Sequence, residues 1–286
     1  MTTLRPHSPL TVLCHVLEVS RSGDHAWTRR HPSKRTQENA RLEVAMQAAH
    51  VRTRQTDGPE RLRAELKDDG VTAGVGRIKR LRKKLGLRCK QVRPFTRTTD
   101  SNHPLPVAPN RLEQTFDACR PNETWVTDIA YVPTGEGWLD LAGIKDLPTG
   151  EVVGHAMSAR MTTDLVSRAL VTAVGAKRPG PGLSHHSDRG SQYCAQDYPG
   201  LLRKFGMHAS LSRRGNCYDN APMESFWGTF KNELVPHRHV DTRAQAIREI
   251  TEYIEIFSNR QRRHSRLGNL SPAAFVQQWS RQQPAA

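Results

Sequence analysis

The chain has 286 residues, 43 of them Lys or Arg and 28 Asp or Glu, so its formal net charge is +15 at pH 7. This length holds one large domain or two to three small ones. The positive balance favours nucleic acid as the partner, since no apolar run approaches the ~20 residues that span a bilayer and no signal-peptide pattern opens the chain. Five scattered cysteines without a CxxC pair argue against a disulfide framework or a structural zinc site, and they indicate a reducing, cytoplasmic compartment.

The first third of the chain is predicted to be helical. Residues 1–35 read as an N-terminal arm, in which 10–19 can form a short helix. Apolar residues at helical spacing predict a helix over 36–50. A second helix begins at Pro59, a favoured first-turn residue, and stops at Gly70.

A third helix is predicted from Thr72, as its cap, to Gly86, with an apolar stripe on one side and basic residues on the others. Ten Lys or Arg and no acidic residue lie between residues 77 and 97. The last of three short helices is the place of a recognition helix, so we expect 36–99 to form a helix-turn-helix-like DNA-binding domain. The alternative is a solvated basic face. The predicted DNA contacts are Arg77, Lys79, Arg82 and Lys83.

Residues 100–118 are polar and contain proline, which predicts a linker before a domain at 119–235. The predicted elements of that domain are strands over 125–132, 138–144 and 152–157, a helix over 161–174, a strand over 182–187, a helix over 195–205, a strand over 207–211 and a helix over 221–234. The order β-β-β-α-β-α-β-α predicts an α/β, ribonuclease H-like core, a mixed five-stranded sheet with flanking helices.

Three acidic residues of this core lie in distinctive local sequences. Asp128 lies in a strand, Asp188 where a short strand meets a turn, and Glu224 near a helix start. Attack on a phosphodiester builds charge on two oxygens, which two divalent cations roughly 4 Å apart can hold. Since Mg²⁺ prefers carboxylate oxygens and water, we predict that these three catalytic residues bind two Mg²⁺ (or Mn²⁺) ions. The alternative for any one of them is a solvated or capping carboxylate.

The last part of the chain, 236–286, is predicted to be helical and basic, with a helix over 242–257. Four arginines follow between Arg260 and Arg266, which suit phosphate contacts, and Arg260 and Arg263 are the predicted ones. The alternative is a solvated basic turn. Lys231 follows Glu224 by seven residues, so a helix returns it to the Glu224 face two turns on, beside bound DNA.

The three acids in these contexts resemble the DDE superfamily of transposases and retroviral integrases, and nearly the whole chain resembles the OrfB-type transposases of insertion sequences. The resemblance is carried by residues 125–131, 186–193, 212–217, 219–221 and 224–226, by Lys231, and by Asn259, Arg263, His264, Leu267 and Gly268. Asp140 and Lys145 depart from it, because aromatic and apolar residues are common at their positions in the second strand.

The resemblance implies metal-dependent cleavage at the ends of a bacterial insertion sequence, then attack of the freed 3′-hydroxyl on target DNA. It also implies Asp128, Asp188 and Glu224 as metal ligands and Lys231 near the DNA. We expect a homo-oligomer on DNA and, because an OrfA-like leader is not recognised, an OrfA partner or fusion from an upstream frame. The alternatives are a catalytically inert DNA-binding regulator and another ribonuclease H-like nuclease.

Overall fold

The computed structural model describes residues 8–90, 107–118, 120–235 and 240–282. Residues 8–90 contain five helices: α1 Leu10–Val16, α2 Arg21–Arg29, α3 Lys34–Arg52, α4 Pro59–Asp68 and α5 Val75–Lys84. The three helices predicted for the DNA-binding region are α3, α4 and α5. They enclose a small apolar core of Leu42, Met46, Ala49, Leu62, Leu66, Ile78 and Leu81. The predicted domain boundaries stay predictions.

Two details of the helical region differ from the prediction. The expected cap Thr72 is wrong, because α5 begins after Gly74, which caps the helix without a side-chain hydrogen bond. Glycine is an acceptable N-cap because its backbone adopts the extended conformation freely. Helix α2 lies in the predicted arm and was missed, although Ser20 is a favoured N-cap residue. The Ser20 hydroxyl accepts from the Gly23 N–H at 3.0 Å.

The central region is a five-stranded sheet with helices on both faces. Its strands are β1 Thr124–Thr134, β2 Gly137–Asp146, β3 Val152–Ser158, β4 Ser184–Ser187 and β5 His208–Leu211, in the spatial order β3-β2-β1-β4-β5. The β1–β2 and β2–β3 pairs are antiparallel, whereas β1–β4 and β4–β5 are parallel. The mixed sheet and the element order confirm the predicted ribonuclease H-like fold.

Helices cover the two faces of the sheet. They are α6 Thr163–Lys177, α7 Ser191–Cys194, α8 Asp197–Lys204 and α9 Ala221–Glu233. Helices α6 and α8 pack on one face with Trp125, whereas α9 packs on the other with Val126, Ala130 and Val132. Successive strand residues point to opposite faces, so Asp128 belongs to the α9 face.

The last described segment completes the α9 face. Helix α10, Arg243–Glu252, continues as a π-helical segment, Tyr253–Gln261, so the predicted helix extends four residues further. The Asn259 side chain accepts from the Val152 N–H and donates to the Val152 carbonyl, both at 2.9 Å. These two hydrogen bonds attach the π-helical segment to the start of β3. A final helix, α11, spans Pro272–Gln282. Among the described residues, no helix is both long and apolar enough to cross a membrane.

Candidate active site

Asp128 lies in the middle of β1, half-buried, opposite Gly143 of β2. A Cβ at Gly143 would lie 2.9 Å from the Trp227 ring, so the missing side chain is what lets this indole pack beside the carboxylate. The Ile129 N–H donates to Asp128 Oδ1 at 2.8 Å. Even so, desolvation, followed by the charges of Asp188 and Glu224, raises the pKa of Asp128 well above its usual value.

The indole N–H of Trp227 also favours the charged form of Asp128 and lowers its pKa. Within the described part of the chain, however, this N–H has no acceptor in hydrogen-bonding geometry. The indole therefore acts on Asp128 as a nearby dipole and not as a hydrogen-bond donor.

Asp188 lies directly after β4, the parallel neighbour of β1. Val126 pairs with His186, and Asp128 and Asp188 each follow these residues by two positions. Neighbouring strands lie about 4.8 Å apart, so the two acids lie beside each other at the edge of the sheet where β4 ends. The Gly190 N–H donates to Asp188 Oδ1 at 2.9 Å. After burial, Asp188 is the largest cause of the raised Asp128 pKa.

Glu224 is exposed in the first turn of α9. The rotation of α9 is fixed by its buried face, since Met223, Phe226, Trp227 and Phe230 all lie in the core. The start of the helix is fixed by Asn220, whose side-chain amide donates to the Thr127 carbonyl at 3.0 Å, next to Asp128. The chain thus brings the third acid to the same edge of the sheet.

The charges of the three acids interact, but their side chains are not arranged around one metal ion. Within residues 8–90, 107–118, 120–235 and 240–282, no three His, Cys, Asp or Glu side chains are arranged to hold one metal ion. The lack of such a ligand set is compatible with the charges of Asp188 and Glu224 raising the pKa of Asp128. Charges act over a screening length of about 8 Å, whereas Mg²⁺ ligands must reach one ion at about 2.1 Å.

Lys231 lies near these acids on α9. Its ammonium nitrogen is 5.1 Å from the centroid of the Tyr131 ring, a residue of β1. Burial lowers the pKa of Lys231, while the Asp128 charge raises it and offsets part of that shift. The lysine therefore adds positive charge beside Asp128.

The four basic residues predicted to contact DNA from α5 have different surroundings. Lys79 and Lys83, one turn apart, are exposed. Arg77 is half-buried and donates to polar side chains of α3. Arg82 is only 9% exposed and donates to Cys89 Sγ at 3.2 Å, so the expectation that it lies on the outward basic side is wrong. A side chain buried beneath the helix cannot reach a phosphate from this face.

The two arginines predicted to contact DNA after α10 also differ. Arg260 is exposed. Arg263 is 14% exposed and forms ion pairs with Glu65, at 2.6 Å, and Asp68, both on α4. Its guanidinium joins the C-terminal segment to the helical region, so the predicted phosphate contact would need these pairs to open.

A buried carboxylate that no sequence pattern indicated supports the start of α9. Asp219 is fully buried and accepts five hydrogen bonds, three from Arg213 and one each from Asn110 and Gln114. The Arg213 guanidinium leads the causes that hold the pKa of Asp219 well below its usual range. The network joins residues about 100 positions apart, so local patterns gave no signal for it beyond the Asp219-Asn220-Ala221 motif.

Models of the integrase core domain match residues 118–217 and 205–272, and an HTH-like domain matches residues 36–95. The insertion element IS600 31 kDa protein of Shigella sonnei is 57% identical over 93% of this chain and 98% of its own length. The transposase InsF for insertion sequence IS3A of Escherichia coli K12 is 39% identical over 93% of both chains. The chain belongs to the IS3 family of insertion-sequence transposases. As a transposase with an HTH-like domain, it has DNA as its partner.

Two solved structures have a similar course of the chain. A simian T-cell lymphotropic virus intasome chain is 16% identical, with a TM-score of 0.45, over 78% of this transposase and 71% of that chain. The catalytic core domain of BIV integrase is 12% identical, with a TM-score of 0.41, over 57% of this chain and 99% of that domain.

Proposed function

We propose that this transposase cleaves DNA at the ends of its insertion sequence and joins the freed 3′-hydroxyl to target DNA, with Asp128, Asp188 and Glu224 as its catalytic acids. The observation that carries the proposal is the crowding of negative charge at one edge of the sheet. Asp128 is desolvated and also faces the charges of the two other acids. Such crowding is costly unless a cation neutralises it.

The residues fit divalent metal ions by their chemistry. All three side chains supply hard oxygen donors, which Mg²⁺ and Mn²⁺ prefer, and water and DNA phosphate oxygens complete such sites. When bound, two ions would stabilise the charge that develops on the attacking and leaving oxygens of the phosphodiester. Asp128 and Asp188 each follow by two positions a residue paired between β1 and β4, and Glu224 is supplied from α9.

The remaining site residues position DNA. Lys231 projects from α9 beside Tyr131 and Asp128, so its ammonium can contact a phosphate next to the scissile bond.

In the cleavage step water attacks phosphorus and the bond to the 3′-oxygen breaks. In the joining step that 3′-hydroxyl attacks a target phosphodiester and displaces a strand with a free hydroxyl. No oxidant or high-energy cofactor is required.

The decisive experiment is strand cleavage and joining on duplexes that carry the element ends, with Mg²⁺ and with Mn²⁺. Asp188→Asn should reduce cleavage at least about 100-fold, since metal-assisted charge stabilisation contributes several kcal/mol. The matched control is Asp164→Asn, the same change at an exposed acid on α6. Cleavage at the wild-type rate by Asp188→Asn would refute the assignment. End binding by the wild type without any cleavage would instead indicate an inert regulator.

We further infer that the transposase acts as a homo-oligomer on DNA in the bacterial cytoplasm. One chain offers one set of three acids, whereas an insertion sequence has two ends. Light scattering after chromatography, with and without end DNA, tests this. A purified chain that stays monomeric on two joined ends and still completes strand transfer would contradict it. Activity that appears only after an upstream-frame OrfA product is added would identify that partner.

A further inference from the structure

A basic cavity lies beside the proposed active site, on the α9 face of the sheet. Its volume is about 570 Å³, and it is partly enclosed by Phe116, β2, α9, the segment after the π-helical turn and one side chain of α4. Five of its lining side chains are cationic, and none of the described lining residues is acidic. These cations are Arg61, Lys145, Arg262, Arg263 and Arg266.

Three of the five cations are neutralised from outside the cavity. Arg61 pairs with Asp57 at 3.4 Å, Arg262 pairs with Glu233 at 2.8 Å, and Arg263 pairs with two acids of α4. Since each of these has a carboxylate neighbour, the excess charge of the cavity does not come from them.

The other two cations donate to main-chain carbonyls. Lys145 donates to the Pro222 carbonyl at 3.2 Å, and Arg266 donates to those of Leu147 and Pro148. Asp146 and Asp117 act on Arg266 only at longer range, as charges. A carbonyl satisfies a donor without cancelling its charge, so the cavity keeps a net positive potential.

The positive charge of the cavity contributes to the lowered pKa values of two groups in its lining. Burial lowers the pKa of Lys145 to about 8, and Arg266 and Arg262 contribute. Burial also lowers the pKa of His264 to about 3, followed by the charges of Arg262 and Lys145, so this lining imidazole is neutral. The cavity is therefore suited to an anion that would relieve the crowded cations.

The position of the cavity indicates which anion it would take. Ser225 and Thr229 of α9 form part of its wall, and Ser225 directly follows Glu224. Hydroxyl groups donate to phosphate oxygens, as they commonly do in protein–DNA interfaces. A DNA strand lying across Glu224 would pass the mouth of this cavity.

We propose that this cavity binds a backbone phosphate of DNA that occupies the active site, with Lys145 and Arg266 as its principal cations. The proposal builds on the transposase function but concerns binding alone.

The test is a binding titration with an element-end duplex at several salt concentrations, without divalent metal. Lys145→Met removes the charge and keeps an apolar stem, and it should reduce the log–log salt slope by about 0.9, the contribution of one phosphate. Lys145→Arg should restore the slope. The control Lys204→Met, on the opposite face of the sheet at an exposed position of α8, should leave it unchanged.

A second measurement locates the phosphate. Single methylphosphonate substitutions along the duplex should weaken wild-type binding at one or two positions near the cleavage site, and Lys145→Met should be insensitive at those positions. Ser225→Asp, an exposed surface change, should weaken the same contact even if Lys145→Met folds poorly. An unchanged salt slope, or equal methylphosphonate sensitivity in wild type and Lys145→Met, would overturn the proposal.

Two further outcomes separate the alternatives. If inorganic phosphate binds the wild type but not Lys145→Met, and no methylphosphonate position responds, the cavity takes free phosphate and the DNA assignment is wrong. Absence of cleavage by the wild type would count against the proposed catalysis. It would leave these metal-free binding results, and hence this proposal, standing.

Discussion

The basic surface of α5 gives the most direct test of how this transposase holds DNA. The double variant Lys79→Gln/Lys83→Gln removes two exposed charges that lie one turn apart on the outward side of the helix. If each lysine neutralises one phosphate, the log–log salt slope should fall by about 1.8. Between 50 and 200 mM salt, the variant should then lose roughly 10-fold less affinity than the wild type.

Arg82 provides the contrast within the same helix. Its side chain is buried and contacts Cys89, and desolvation together with the Arg82 charge lowers the pKa of the neighbouring His50. Arg82→Gln should therefore lower the melting temperature and leave the salt slope unchanged. Both variants are titrated on element ends and on random duplex, with circular dichroism as the check on folding.

The result that refutes this reasoning is a reversed pattern. An unchanged slope for Lys79→Gln/Lys83→Gln would show that the outward face of α5 is only solvated. A slope reduced by Arg82→Gln, with its stability intact, would show that the helix rotates or that the buried arginine moves outward on DNA.

Three further predictions concern the core. Asp219→Asn should lower the melting temperature far more than Asp164→Asn, since it weakens a buried acceptor of five hydrogen bonds; equal melting temperatures would contradict this. Burial lowers the pKa of His186 to about 4, below the ~6.5 of an unfolded chain. The neutral imidazole therefore contributes at most about 3 kcal/mol to the free energy of unfolding, and this contribution is present above pH 6.5 and lost as the pH falls towards 4. Urea unfolding at pH 7.5 and 5 checks this, and an identical pH loss in His186→Asn would count against it. Gly154→Ala should destabilise the chain by about 1–3 kcal/mol in urea unfolding, because its Cβ would lie 2.6 Å from Ala173, and an unchanged midpoint would show that α6 can shift.

Local sequence patterns predicted most of the core. The order of strands and helices was predicted, and the seven-residue spacing from Glu224 to Lys231 predicted the face of α9 on which Lys231 lies near Asp128. The register of parallel strands then follows from the fold class, which is why Asp128 and Asp188 could be expected to meet. These features repeat every two or every three to four residues, so a short window of sequence contains them.

Other features depend on residues far apart in the chain and leave no such pattern. Arg263 lies within a basic run, and only the position of α4 shows that it is an ion-pair partner. The basic cavity likewise needs Lys145 and Arg266, which are about 120 residues apart, to be seen together.

Because Trp227 packs over Gly143 beside the acids, its fluorescence can report on the active site. Indole fluorescence responds to nearby charge, and this ring lies beside the carboxylate of Asp128. Changes in the charge at that edge of the sheet should therefore alter the emission of Trp227. The site can be followed by spectroscopy before any DNA is added, with Trp227→Phe, which keeps the other four tryptophans, as the reference.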